Sequence, residues 1–201
     1  MKIGILISGR GSNMQAIIEG IRSGEIPNSE IAVVISDKAD AEGLQKAKER
    51  GIKTLVVEKN GRKRAEHDAE IVTELKKRNV ELVCLAGYMR LLSKDFVRAF
   101  PDSILNIHPS LLPAFKGLDA QQQAIEYGVK FSGCTVHFVD EDLDHGAIVA
   151  QKTVEVKDDD TPETLAARIL KHEHSLYVEA IAKILKGKIK IVGRRVVSVK
   201  N

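Results

Sequence analysis

Two hydrophobic rhythms alternate through the first hundred residues of this chain. Short runs rich in Ile, Val and Leu occur at 2–8, 31–36, 54–57, 81–86 and 103–108. Several are apolar on both faces, as the strands of a covered parallel sheet are. Between them the period lengthens. Met14, Ile17, Ile18 and Ile21 fall at i, i+3, i+4 and i+7, one face of a helix. Leu44 and Ala47 repeat the pattern more weakly before Gly51, a residue suited to a helix C-terminus. Ile71, Val72 and Leu75 mark a third helix, and Ser93 can cap a short fourth that ends before Pro101. Strands alternating with helices predict an α/β fold, a doubly wound, mostly parallel twisted sheet with helices on both faces, Rossmann-like in its N-terminal half.

The rhythm then changes. Two longer strand-like segments, 131–139 and 147–156, flank a polar loop at 140–146 and read as antiparallel neighbours. A long helix follows. Thr161 is a good N-cap, Pro162 suits the first helical position, Glu163 favours the helix dipole, and the pattern runs to about Leu185. A short basic tail with two β-rich runs comes last, its basic stretch, Lys183 through Arg195, reading as a solvated helix end and edge strands.

Length and composition narrow the class. The 201 residues fit one domain, and 43% hydrophobic residues suffice for a core. No run approaches the roughly 18 apolar residues of a membrane span. The N-terminal apolar run is too short for a signal peptide and leads into a glycine loop, so a cytoplasmic location is expected. Cys84 and Cys134 lie in apolar runs, as buried, reduced thiols do. A net charge of +3, with acids and bases interspersed, does not point to nucleic acid.

Two stretches carry candidate chemistry. Ser8-Gly9-Arg10-Gly11-Ser12-Asn13 joins the first strand to the first helix. Helix N-termini leave N–H groups unpaired and carry partial positive charge, glycines let a ligand approach, and Ser12 and Asn13 can cap the helix or meet ligand oxygens. This makes an anion site suited to phosphate. It departs from the dinucleotide fingerprint, since Met14 replaces the third glycine, and Asp37 reads as a turn residue rather than a ribose ligand. The second stretch is Asn106-Ile107-His108-Pro109. Asn106 and His108, two apart on a strand, share a face at the sheet edge where ligands of open α/β sheets bind. An Asn amide can donate to a tetrahedral oxyanion, and a His can move protons near neutral pH. A carboxylate should hold the imidazole, and Asp144 in the polar loop is the candidate.

These residues resemble the folate-dependent phosphoribosylglycinamide formyltransferases. The likeness runs from Ile3 to about Tyr177 and is carried by Ile7 to Asn13, Ala86-Gly87-Tyr88-Met89-Arg90-Leu91-Leu92, Leu105 to Pro113, and Gly133 to Asp140. It implies a catalytic trio of Asn106, His108 and Asp144. Gly11, Ser12 and Asn13 would hold the phosphate of glycinamide ribonucleotide, and Glu173 its ribose or glycinamide end. Met89, Arg90, Leu91 and Leu92 would form one wall of the pocket for 10-formyltetrahydrofolate, the co-substrate. Asp140, Glu141, Asp142, Leu143 and Asp144 would form the other, with Asn106 at the formyl group and Arg64 near the folate. The resemblance also implies a phosphate-binding half, 1–100, and a catalytic and folate-binding half, 101–201, within one domain. No metal, membrane or nucleic acid is implied, and a monomer or homodimer is expected. Departures from the family pattern at His67, Lys116, His145, Ala147, His172 and Val178 bear on the folate loop and ribose contacts, not on the reaction.

Rival readings stay open on the residues themselves. A formyltetrahydrofolate hydrolase shares the core but carries an extra N-terminal regulatory domain, for which a first strand at Lys2 leaves no room. Methionyl-tRNA formyltransferases add a C-terminal domain, whereas this chain ends soon after the long helix. A non-catalytic sugar-phosphate-binding module would need the glycine loop but not the trio. His172-Glu173-His174 lacks the i, i+4 spacing of a helical zinc site. Thr135 and His137 are expected to pair on the sheet surface.

Overall fold

The computed structural model describes residues 1–187 and 189–199; Lys188 of the basic tail lies outside them. The chain forms two compact units, Met1–Asn106 and Ile107–Asn201.

In the first unit the strands β1 (Lys2–Ile7), β2 (Glu30–Ser36), β3 (Thr54–Val56), β4 (Leu82–Leu85) and the start of β5 (Ile104–His108) follow the order β3-β2-β1-β4-β5. Every neighbouring pair is parallel. The helices α1 (Ser12–Arg22), α2 (Glu42–Lys48), α3 (Arg64–Lys77) and α4 (Lys94–Ala99) connect them. Strand order reverses direction between β1 and β4. Because parallel crossovers are right-handed, connections running outward on the two sides cover opposite faces. In agreement, α1 packs on α2 and α3 on α4. The α1 face expected from its period is buried at Met14, Ile17 and Ile18. Ser93 caps α4, accepting the Phe96 N–H at 3.3 Å.

The second unit holds β6 (Phe131–Phe138) and β7 (Ile148–Glu155), which pair antiparallel, and a terminal hairpin of β8 (Ile189–Val192) and β9 (Arg195–Ser198). The order is β6-β7-β9-β8, with β9 parallel to β7. The long helix α6 (Pro162–Leu185) packs on β6 and β7. Thr161 caps it, accepting the Thr164 N–H at 3.3 Å. Leu165, Ile169, Glu173, Leu176 with Tyr177, and Ala180 with Ile181 form its buried face, recurring every three to four residues as a helix stripe requires.

Three local expectations are corrected. A further helix, α5 (Ala120–Tyr127), lies in a stretch without a sequence signal, since only Ala120 and Ala124 of its eight residues are buried. Helix α1 is not capped by Ser12 or Asn13. Gly11 is the N-cap residue, in left-handed conformation at φ 69°, and Ser12 is the first helical residue. Thr135 and His137 do not sit on a sheet surface; they are 0% and 2% exposed.

Candidate active site

In the first unit the expected ligand groups gather at the C-terminal ends of β1 and β4, where strand order reverses and open α/β sheets bind ligands. Ser8 ties the two loops together. Its N–H donates to the Gly87 carbonyl at 3.0 Å, and its hydroxyl accepts the Met89 N–H at 2.9 Å and donates to Asp37 at 2.6 Å. Asp37 is thus occupied as a loop anchor. The Gly9 carbonyl accepts the Gly43 N–H at 3.0 Å, which presses the start of α2 against the glycine loop. A Cβ on Gly11 would lie 3.0 Å from Gly43 Cα and 3.1 Å from Met14 Cε, so packing as well as the positive φ demands glycine there. No side-chain hydrogen bond caps α1.

A cavity of about 370 Å³ beside this edge is lined by Lys59, Arg62, Lys63, Arg64, Met89, Arg90 and Leu91. It unites four of the residues expected at the folate pocket; Leu92 is not in its lining. Lys59, Arg62 and Lys63 are additions. Of the basic cluster Lys59-Asn60-Gly61-Arg62-Lys63-Arg64, the sequence reading singles out Arg64 alone. Arg62 is partly engaged, donating to Glu70 at 2.5 Å and to the Glu58 carbonyl. Met89 and Leu91 are exposed, so the cavity combines cations with an apolar rim. Beneath Arg64, the first residue of α3, Asp68 accepts the Ser93 N–H at 2.6 Å. His67 is buried and its Nε2 lies 2.7 Å from the Val57 carbonyl, which accounts for a histidine at that position.

Asn106 and His108 lie on β5, two residues apart. In the second unit, His108 is buried at the end of that strand. Its Nδ1 lies 3.4 Å from Asp144 Oδ2 and its Nε2 2.8 Å from the Phe115 carbonyl. Both ring nitrogens face acceptors, so an imidazolium can donate on both sides and a neutral ring on one only. The Asp144 side chain is 9% exposed and also accepts the Gly117 N–H at 2.8 Å. Its backbone takes the left-handed conformation, φ 44°.

A second histidine, assigned no chemistry by its sequence position, completes this cluster. His137 Nε2 lies 3.7 Å from Asp144 Oδ1, and Nδ1 lies 2.8 Å from the Phe138 carbonyl. Burial lowers the His137 pKa below its ordinary 6.5, against smaller raising effects of the Phe138 carbonyl and Asp144. A neutral His137 leaves the charge of Asp144 to His108. In the sequence His137 lies within the Gly133 to Asp140 stretch and alternates with Thr135, but neither signal gives it a role. Thr135 itself anchors the segment after His108: its hydroxyl donates to the Ser110 carbonyl at 2.7 Å and accepts the Leu112 N–H at 3.1 Å.

The loop carrying Asp144 is braced at its base. Asp140 accepts the Asp142 N–H at 3.0 Å and lies 2.7 Å from His145 Nδ1. A Cβ on Gly146 would fall 1.9 Å from the Phe138 carbonyl oxygen, so only glycine lets the chain close onto β6. Glu141, Asp142 and Leu143 are exposed, with Leu143 at 47%. Glu173 is buried on α6; after burial itself, its charge helps push the Cys134 thiol up to about 12. Among the described residues no group of three or more His, Cys, Asp or Glu could hold a metal ion, and no helix is long and apolar enough to cross a membrane.

The parallel glycine-loop unit and the His–Asp cluster at a strand end are those of an α/β enzyme fold, and comparison with known proteins names its class. Residues 1–181 match the formyl transferase family, and the chain belongs to it. Phosphoribosylglycinamide formyltransferase of Haemophilus influenzae is 44% identical over 191 residues, covering 94% of this chain and 90% of that protein. The solved structure of glycinamide ribonucleotide transformylase 1 from Symbiobacterium toebii superposes with a TM-score of 0.97 at 51% identity, covering 100% of this chain and 94% of that one. The human trifunctional purine biosynthetic protein adenosine-3 is 46% identical over 193 residues; the chain spans 94% of its own length there but 19% of that protein. It spans 14% of the Drosophila melanogaster counterpart.

Proposed function

We propose that this chain is a folate-dependent phosphoribosylglycinamide formyltransferase. It moves the formyl group of 10-formyltetrahydrofolate onto the amine of glycinamide ribonucleotide and releases formyl-glycinamide ribonucleotide and tetrahydrofolate. The observation that carries the reading is the buried His108–Asp144 pair, 3.4 Å apart, in a family of formyl transferases. Gly11, Ser12 and Asn13 take the phosphate, and Glu173 the glycinamide or ribose end. The cationic cavity with its apolar Met89 and Leu91 rim fits an aromatic folate with an acidic tail. Arg64 and Arg90 meet the acid there, beside Leu92.

The substrate amine attacks the formyl carbon directly, so no Ser or Cys nucleophile is needed. The new N–C bond forms as the carbonyl π pair moves to oxygen. Asn106 donates to that oxyanion, and the imidazolium of His108 does so by turning its Nε2 hydrogen from the Phe115 carbonyl to the substrate. The carbonyl re-forms, the bond from carbon to the folate N10 breaks, and the proton lost by the amine is delivered to N10. His108 mediates the proton movement, and Asp144 stabilises its charged form. Because the amine must be present for transfer, release of deformylated folate should require the ribonucleotide. Following that release by absorbance, with and without ribonucleotide, tests the reading. Equal release without it would make the chain a hydrolase on the same scaffold. No release at all, with ligand binding intact, would make it a sugar-phosphate-binding module.

A further inference from the structure

The terminal hairpin β8–β9 reaches the loop that carries Asp144. At its turn, Arg194 donates from Nη2 to the His145 carbonyl at 2.7 Å, and its Nη1 meets His145 Nε2. On the other side of the same ring, His145 Nδ1 lies 2.7 Å from Asp140 Oδ2 and 3.9 Å from Asp142 Oδ2. A carboxylate only accepts, so the ring carries a hydrogen on Nδ1 toward Asp140. Arg194 thus holds the backbone of His145, whose ring holds Asp140, and the two contacts tie both ends of the segment 140–145. The strand pairing Ile148↔Arg195 fixes the hairpin against β7 just beyond it.

Asp144 stands inside this bracket in a left-handed backbone conformation, φ 44°, which Asp adopts more readily than most non-glycine residues. The Asp144 carboxylate must also stay in reach of both His108 and the Gly117 N–H. We propose that Arg194 is a positioning residue for the formyl transfer reaction: through His145 it clasps the 140–146 loop and holds Asp144 against His108. The inference rests on the function proposed above, and also makes a claim about loop order that activity does not touch.

The test compares the intact chain with Arg194→Ala and Arg194→Lys. Hydrogen exchange is followed by mass spectrometry on the peptides containing 140–146 and Gly117. Steady-state rates are measured against each substrate, with thermal midpoints as a control. Arg194→Ala is expected to speed exchange in those two peptides, with α1 and β1–β4 unchanged. It should lower kcat about tenfold, as small misplacements of catalytic groups do. KM for the ribonucleotide should hold, and Arg194→Lys should recover part of the rate. Unchanged exchange in 140–146 overturns the clasp, as does faster exchange spread over the whole chain with a fallen thermal midpoint. If the parent protein itself shows no formyl transfer, the proposed function fails, while the exchange data still decide the clasp.

Discussion

Replacing Asp144 by Asn tests the centre of the site with little change of shape. The amide oxygen can still accept the Gly117 N–H, which Asp144 now takes at 2.8 Å. What disappears is the charge 3.4 Å from His108 Nδ1. At an effective dielectric constant of roughly 20, two unit charges at that separation attract by about 5 kcal/mol. At about 1.4 kcal/mol per tenfold, complete loss would slow a step that needs a full imidazolium by roughly three and a half decades. Proton transfer is partial in the transition state, so kcat is expected to fall between about 10²- and 10⁴-fold. KM for the ribonucleotide should stay within about threefold, because Asp144 is not in the phosphate loop. The assay is absorbance of released deformylated folate at saturating substrates, with circular dichroism to verify the fold. A kcat within about fivefold of the parent would refute the reasoning that Asp144 acts by charge on His108.

Three further outcomes follow from the same structure. His137 has its pKa lowered by burial, so the unfolded chain takes up its proton more readily than the folded one. Its contribution to stability is therefore complete above about pH 6.5 and is lost as pH falls below that value. His137→Gln should narrow the difference between urea midpoints at pH 7.5 and pH 5, and an unchanged difference would count against the assignment. Gly11→Ala adds a Cβ at φ 69°, 3.0 Å from Gly43 Cα. It should lower the thermal midpoint by about 4 °C and raise KM for the ribonucleotide more than KM for the folate; equal effects on both would detach the loop from phosphate binding. Gly146→Ala drives a Cβ into the Phe138 carbonyl and should cost about 3 kcal/mol or more in urea unfolding; a neutral result would show that the loop base is pliant.

Much of this protein was readable from one dimension because much of it is local. The apolar runs at 2–8, 31–36, 54–57, 81–86 and 103–108 became β1 to β5 within a residue or two. The Met14–Ile17–Ile18 stripe became the buried face of α1, and Thr161-Pro162 opened α6. These signals are a side-chain period and a capping hydroxyl, properties of neighbours along the chain. Asn106, His108 and Asp144 stood out as candidates, since few residue types move protons or hold an oxyanion, and the fold brings His108 and Asp144 together. Where local signals were weak, sequence reading failed. Helix α5 has only two small apolar residues facing inward, too little for a period to register. Strand β6 is buried on nearly its whole length, but Ser132, Thr135 and His137 interrupt its apolar run, so Thr135 and His137 passed for surface residues. Which groups meet across a long separation is set by how the chain returns on itself. Thus Ser8 found Asp37, the Lys59–Arg64 charge run became a cavity wall with Arg90, His137 came to flank Asp144, and Arg194 reached His145 across 49 positions. No period or motif encodes such pairs; strand order and packing do, and those exist only once the chain is folded.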